Sequence, residues 1–410
     1  MLPCGCWFND STMATVGERF VALQHRDYRL LWSGNFISVV GNQMQFVAIN
    51  WHIYQLLQGT SLTVTLFGRQ VTLGVEAPGL GGVGLARVIP IALFAVLGGT
   101  LADTQDRRKM LLWTNSAAAG FAAILTWITF TSRDTVPAIY LLTAAGAAVA
   151  ALMSPAYQSL IPNLVPRDEL TNAISLHTLM FQIATIVGPA VAGLVMVKAD
   201  VAWVYALNAL SFLVIVGALL RLRYRGKAAA GAVGLGWAAI VEGWRFVRGA
   251  KIIWGSMMLD FLATFFSSAR MMLPLVAGDI LHVGAAGYGL LSTSQAIGSV
   301  IAGLVMSLRK DIYRQGTVLL GSVVIYGAAT ALFGLSASFA LSYLLFAVTG
   351  AADTVSTVIR ATIRQIMTPD RLRGRRTGIK MTVNFAPTRN WYFCPAISPF
   401  AVSSRYQEAS

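Results

Sequence analysis

Charge is scarce in this 410-residue chain: Asp, Glu, Lys and Arg make up only 12% of it, about half their share in an ordinary soluble domain. That scarcity excludes a soluble enzyme. Cysteine is scarcer still, and Cys4, Cys6 and Cys394 sit at the two ends, where they build no disulfide framework. The histidines, His25, His52, His177 and His282, fall in different segments, so no metal centre is expected. No Gly-x-x-x-x-Gly-Lys-Ser/Thr string occurs, which argues against an ATP-driven pump. No nucleophile motif stands out. The expectation is a protein that is not an enzyme and carries no cofactor.

What remains is apolar. Hydrophobic residues make up 56% of the chain and the mean hydropathy is +0.65. A bilayer crossing needs about 20 such residues in a row. Ten runs of that size are read at about 30–57, 80–102, 110–131, 136–161, 172–197, 201–220, 252–280, 287–308, 316–336 and 339–363. The fold class expected is an all-α membrane protein. A glycine-rich polar loop is expected between the first two spans, over 58–79.

The net charge of +14 invites a nucleic-acid reading, and its distribution rejects one. Seventeen Lys and Arg residues fall in alternate loops on one side, including Arg107, Arg108, Lys109, Arg221, Arg223 and Arg225. The opposite loops hold only Arg69, Arg133 and Lys198. The positive-inside rule therefore places both termini in the cytoplasm of a multi-pass inner-membrane protein.

The chain is organised around Gly98–Lys109. Asp103, Asp106, Arg107, Arg108 and Lys109 cannot lie in hydrocarbon, so this stretch reads as a turn at the membrane surface. Gly98 and Gly99 let the end of the preceding helix pack closely on a neighbour. The pattern resembles the Gly-x-x-x-Asp-x-x-Gly-Arg-Arg/Lys loop of major facilitator superfamily transporters, with Asp106 where that family has its second glycine. A second string, Ala184-x-x-x-Gly188-Pro189-x-x-Ala192-Gly193, resembles the bent exporter signature of the same superfamily. Two of that signature's glycines are alanine here. The branch resembled is the drug and siderophore exporter group, similar to enterobactin and macrolide exporters. The resemblance implies a helical bundle of two repeats and proton-coupled export of a small amphipathic compound by alternating access. It also implies gating by Gly99, Asp103, Asp106, Arg107 and Arg108, with Asp103 docking against the start of an eleventh span. Arg107 and Arg108 are expected to anchor to lipid phosphates or to Asp168 and Glu169.

An internal repeat supports two halves: Leu164–Leu170 recurs as Ile366–Leu372. The expected organisation is a leader over 1–28, a six-span half over 29–220 and a basic connector over 221–251. A four-span half over 252–363 and a tail over 364–410 follow. The repeat implies twelve spans, and beyond Arg375 no apolar run near 18 residues occurs, so the last two are expected to be missing. The alternatives are a truncated remnant that transports nothing, and an importer of a small solute.

Charged residues inside spans are costly, which makes each a functional candidate. Arg87 either attracts an anion or snorkels to the surface. Asp260 and Asp353 are proton-site candidates, and small neighbours beside Gly350 suggest a cavity at Asp353. Arg270, His177 and Gln45 complete the candidates for the substrate or proton pathway. Gln45 and His52, seven residues apart, share a helix face. The Met and Phe residues between Met257 and Met272 suit either an apolar cavity or plain packing. The expected partners are a small-molecule substrate, a proton or other coupling ion, and the lipid bilayer, with the protein a monomer.

Overall fold

The computed structural model describes residues 21–66, 69–104, 106–224, 270–308 and 315–366, together with Gly255 and Met258. Hydrocarbon offers no water to the backbone, so each apolar run closes its own hydrogen bonds as a helix. Among the described residues these are α1 (Arg26–Leu57), α2 (Glu76–Thr104), α3 (Arg107–Phe130), α4 (Val136–Leu160), α5 (Leu170–Lys198), α6 (Val201–Arg221), α7 (Gly284–Leu308), α8 (Gln315–Leu335) and α9 (Phe339–Ile366). Helices α2 to α9 account for eight segments long and apolar enough to cross a membrane. Helix α1 has 32 residues, ample length, but carries Asn35, Asn42, Gln43, Gln45, Asn50 and His52.

Nine of the ten expected spans thus appear, with ends within four residues of their expected places. Most of the remaining one, 252–280, lies outside the described residues. Its described end is broken: a 3-10 turn at Arg270–Met272, one α turn at Leu273–Leu275 and a π turn at Val276–Ile280. Such wide turns inside helices mark places where packing or function overrides regular geometry.

The stretch 58–79 is not the open loop its glycines suggest. Strands β1 (Ser61–Leu66) and β2 (Arg69–Gly74) pair antiparallel, with Ser61 opposite Gly74 and Leu66 opposite Arg69. Alternating Thr, Val and Leu supply the β propensity. Helix α2 then starts at Glu76, a turn earlier than its apolar run.

One face of the bundle, here the basic face, gathers the start of α1 and the junctions α2–α3 and α4–α5. There α1 is tied to α5 by His25 Nε2 donating to Glu169 Oε2 at 2.8 Å and Tyr28 Oη to the Ala173 carbonyl at 2.8 Å. Trp32 Nε1 donates to the Leu176 carbonyl at 3.1 Å, one turn on. Asp27 Oδ2 accepts from the backbone N–H groups of Arg223 and Tyr224, fastening the exit of α6. Each such bond adds on the order of 1 kcal/mol.

Two apolar cores follow from this layout. One, around Leu111, Leu160, Ala173 and Leu219, is built from the first six helices and their connecting turns and lies toward the basic face. The other lies toward the opposite face and crosses between halves, joining Val47, Ile53, Leu80 and Tyr205 to Leu273, Ala277, Leu291 and Phe346. The described contacts between halves concentrate at that opposite face.

Candidate functional site

The turn between α2 and α3 is tighter than its sequence suggests. Helix α2 runs through Gly98, Gly99 and Asp103 and stops at Thr104, so only a short junction separates it from Arg107. The side chain of Asp103 lies outside the described residues. Asp106, standing where the resembled family has glycine, is the N-cap of α3 and accepts from the N–H groups of Arg108 and Lys109. Asp106→Ala is expected to cost about 1 kcal/mol, read as a lower thermal midpoint in detergent, with Asp106→Asn closer to wild type.

Arg107 and Arg108 reach neither Asp168 nor Glu169. Arg107 Nη1 donates to the Ser159 carbonyl at 3.0 Å, at the end of α4. Arg108 takes the end of α6: Nε donates to Leu219 O and Nη2 to Leu220 O, each at 2.8 Å. The last carbonyls of a helix have no partner of their own and carry partial negative charge, which is what a guanidinium satisfies. Glu169 is engaged instead by His25.

The bent motif of α5 lies in two close helix crossings. A methyl group built on Gly188 would fall 2.5 Å from Gln43 Cβ and 3.1 Å from the Val40 carbonyl of α1. One built on Gly193 would fall 2.9 Å from Gly289 Cα and 3.1 Å from the Ala285 carbonyl of α7. Gly289 meets the reverse of this, with Gly193 Cα at 2.7 Å and the Pro189 carbonyl at 2.8 Å. Pro189 sits inside α5, where it donates no hydrogen bond. The motif therefore builds a backbone-to-backbone seam between the two halves.

Two further bridges close the same face. Tyr54 of α1 donates from its hydroxyl to Asp279 Oδ1, and Gln58 Nε2 donates to the Tyr54 oxygen at 3.2 Å. The Trp51 and Tyr288 rings stack at 5.5 Å between centroids.

Deeper, at mid-height of α1, two of the charged candidates meet on one ring. The Arg87 guanidinium carbon lies 4.4 Å from the Phe46 centroid, and that of Arg270 lies 5.3 Å from it. Arg87 therefore turns to α1 rather than to the membrane surface. The ring's negative face favours cations, and the two lie within about 10 Å of each other. At that separation and an effective dielectric near 20, like charges repel by roughly 1–2 kcal/mol. The Phe46 ring thus receives a guanidinium from each half.

A two-repeat helical bundle with its charged turn, proline-bearing α5 and inter-half seam agrees with the comparisons to known proteins. The sequence profile described as a transmembrane secretion effector matches residues 18–388. The chain belongs to that family. It is a major facilitator superfamily transporter, and neither the family nor its relatives are enzymes. The enterobactin exporter EntS of Escherichia coli O1:K1 / APEC is 26% identical over 369 residues, covering 87% of this chain and 81% of the relative. EntS of Salmonella choleraesuis strain SC-B67 is 25% identical over 359 residues, with the same coverage. Among solved structures, the nucleoside transporter NupG superposes with a TM-score of 0.67 at 14% identity, covering 88% of this chain and 87% of that one. A bacterial homologue of the human lysosomal transporter Spinster, inward-facing and unoccupied, gives 0.65 at 15% identity, covering 90% and 81%. At such identities these structures speak for the fold.

The other candidates of this secretion-effector chain divide. Gln45 accepts from Asn208 Nδ2 at 2.5 Å, and His52 Nδ1 lies 3.1 Å from the Tyr205 hydroxyl. Both therefore face α6, as their spacing implies. His52 Nε2 also donates to Asp134 Oδ2 at 2.7 Å, and the imidazole is only 7% exposed. His177 is partly exposed on α5. Asp353 is exposed on α9, and beside it Gly350 packs directly on the Gln295 backbone rather than leaving a cavity. Asp260 lies outside the described residues. Met271, one of the residues suited to an apolar cavity or to packing, is fully buried packing. The partners missed in the sequence are Phe46, Tyr54, Asp134, Asp279 and Gly289. Only Gly289 had a local signal, the small cluster Ala285-Ala286-Gly287-x-Gly289.

Proposed function

We propose that this transporter is a proton-coupled exporter of a small amphipathic compound, of the drug or siderophore class, working by alternating access between its halves. The observation that carries the reading is the seam at Gly193 and Gly289. A face closed by glycine backbones and a few polar bridges can separate without tearing a large side-chain interlock. The exporter-type motif supplies one side of that seam, and the curated relatives are enterobactin exporters. The basic face is assigned to the cytoplasm by the positive-inside rule, so the closed face is the outer one and the binding region is reached from inside. The protein is then an inner-membrane monomer. Its domain plan is the six-span half to 220, the connector 221–251 and the second half from 252. The proton would be carried by Asp260, Asp353 or both.

Everted membrane vesicles test this. Protein-dependent accumulation of a neutral amphipathic dye, abolished by a protonophore, is expected. Accumulation only in right-side-out vesicles would make the protein an importer. No movement in either orientation would favour the remnant.

A further inference from the structure

We infer that His52 and Asp134 form a proton-binding site at the face opposite the basic one, with Tyr205 as the hydroxyl that serves the imidazole in both protonation states. The site is assembled from three elements of the first half: α1, the turn between α3 and α4, and α6. His52 Nε2 lies 2.7 Å from Asp134 Oδ2, and His52 Nδ1 lies 3.1 Å from the Tyr205 hydroxyl. An ionised carboxylate only accepts, so Nε2 carries a hydrogen whatever the charge of the ring. The added proton therefore belongs on Nδ1, on the tyrosine side.

The tyrosine sets this histidine apart from one held for packing alone. Opposite a backbone N–H, Nδ1 could only accept; opposite a carbonyl, it could only donate. A hydroxyl does either. With the ring neutral, Tyr205 donates to Nδ1; with the ring charged, Nδ1 donates to the Tyr205 oxygen. The imidazole keeps both hydrogen bonds in each state, and its positive charge is matched by Asp134. Among the described residues Asp134 pairs with no other cation. Its neighbour Arg133 turns to the Trp127 ring, with 5.8 Å from guanidinium carbon to centroid. Asp200 of the α5–α6 turn and Tyr288 of α7 lie close enough to act on Tyr205 electrostatically. On α1 itself Tyr54 turns to Asp279, with Glu76 of α2 near it.

Access and coupling come from one turn of α1. The Asp134 side chain is 15% exposed, between the exposed residues Arg133 and Thr135, so the pair sits at the rim of this face. The tyrosine side is covered. Trp51, Tyr205 and Tyr288 belong to the core that crosses between the halves. Trp51 stacks on Tyr288 and Tyr54 bonds to Asp279, so His52 stands between two contacts to the second half. When the halves part there, water reaches Nδ1 and a proton from outside binds; when they close, it is held. Proton binding and the opening of this face are thereby linked. The first half gains a proton site of its own, beside Asp260 and Asp353 in the second. Its part in transport rests on the proton-coupled export reading; the binding of a proton does not.

The chain has only four histidines, which simplifies the test. The full chain, isotope-labelled in histidine alone and held in nanodiscs, gives one imidazole resonance per residue, and His52→Gln identifies the one at issue. From about pH 8 to about pH 5 that resonance is expected to change from the neutral to the charged form. Asp134→Asn should displace this titration, and Asp134→Glu should displace it less. A ring that keeps one form throughout, or one indifferent to Asp134→Asn, would overturn the site. Everted vesicles test its role, because their lumen is the outer side. The readout is accumulation of the neutral dye driven by an acidic lumen, divided by dye exchange at equal pH, so that poor folding lowers both. His52→Gln is expected to lose most of that ratio, and Tyr205→Phe part of it. An unchanged ratio in His52→Gln would overturn the coupling. A wild type that moves no dye sinks the export reading, while the titration still decides on the proton.

Discussion

Gly289→Leu is expected to hold the two halves apart at the face opposite the basic one and to abolish export. Nothing soft lies in front of that glycine. A side chain there meets the Cα and N–H of Gly193 and the Pro189 carbonyl, all backbone and all within 3.0 Å of the first added carbon. Neither α5 nor α7 can turn a rotamer out of the way, so the crossing itself must open. Overpacking of this kind costs on the order of 3 kcal/mol, enough to move a balanced two-state equilibrium by about two orders of magnitude. Spin labels at Thr135 and Ala337, both exposed at that face and one in each half, should report a longer and narrower distance distribution in the variant. Gly303→Leu is the control: same helix, open space around the added carbon. If Gly289→Leu keeps the wild-type distances, the seam is not what closes this face, and the reading of the α5 motif falls with it.

The helices were legible because the bilayer enforces them. A run of some 20 apolar residues between basic turns has one stable answer in hydrocarbon, and the helix ends deviate most where a charged residue extends a helix past its apolar run, as at Arg26 and Glu76. The hairpin at Ser61–Gly74 was not legible. Its strands are six residues each, and the glycines at 68 and 74 masked a short alternation of Thr, Val and Leu. The α2–α3 turn was placed correctly yet drawn too long, because its charged residues read as turn while α2 runs through Asp103 to Thr104 and α3 already starts at Arg107.

Side-chain partners were the least legible part of the site. Arg107 and Arg108 look for negative charge, and the sequence offers Asp168 and Glu169; the structure offers the carbonyl ends of α4 and α6, which no residue letter displays. Arg87 and Arg270 were each visible as an expensive charge within a span. Their meeting on Phe46 depends on how the halves are docked, and spacing within one helix carries no information about that. Gln45 and His52 were the opposite case: one helix face fixes both, and both meet α6.

The second large effect belongs to the crossing of α7 and α9. A methyl group on Gly298 would collide with the Ala347 carbonyl, and one on Gly350 with the Gln295 carbonyl, so each helix presents a glycine to the other's backbone oxygen. Ser299 Oγ adds a hydrogen bond to the Gly350 carbonyl at 3.1 Å. In a membrane, lipid tails are as apolar as the side chains, and helices associate by close backbone contact rather than by hydrophobic burial. Cα–H groups set against carbonyls contribute a fraction of a kcal/mol each, and they vanish when the helices separate. Gly350→Val is therefore expected to destabilise the second half by on the order of 3 kcal/mol, with Gly350→Ala in between and Gly303→Val near wild type. Unfolding in mixed detergent micelles, followed by helical circular dichroism, gives the order directly. The reciprocal arrangement makes a sharper demand: Gly298→Val and Gly350→Val act on one crossing, so the double variant should lose clearly less than the two single losses combined. Additive losses would mean the two glycines guard separate contacts, and the crossing would have to be redrawn with α7 and α9 further apart.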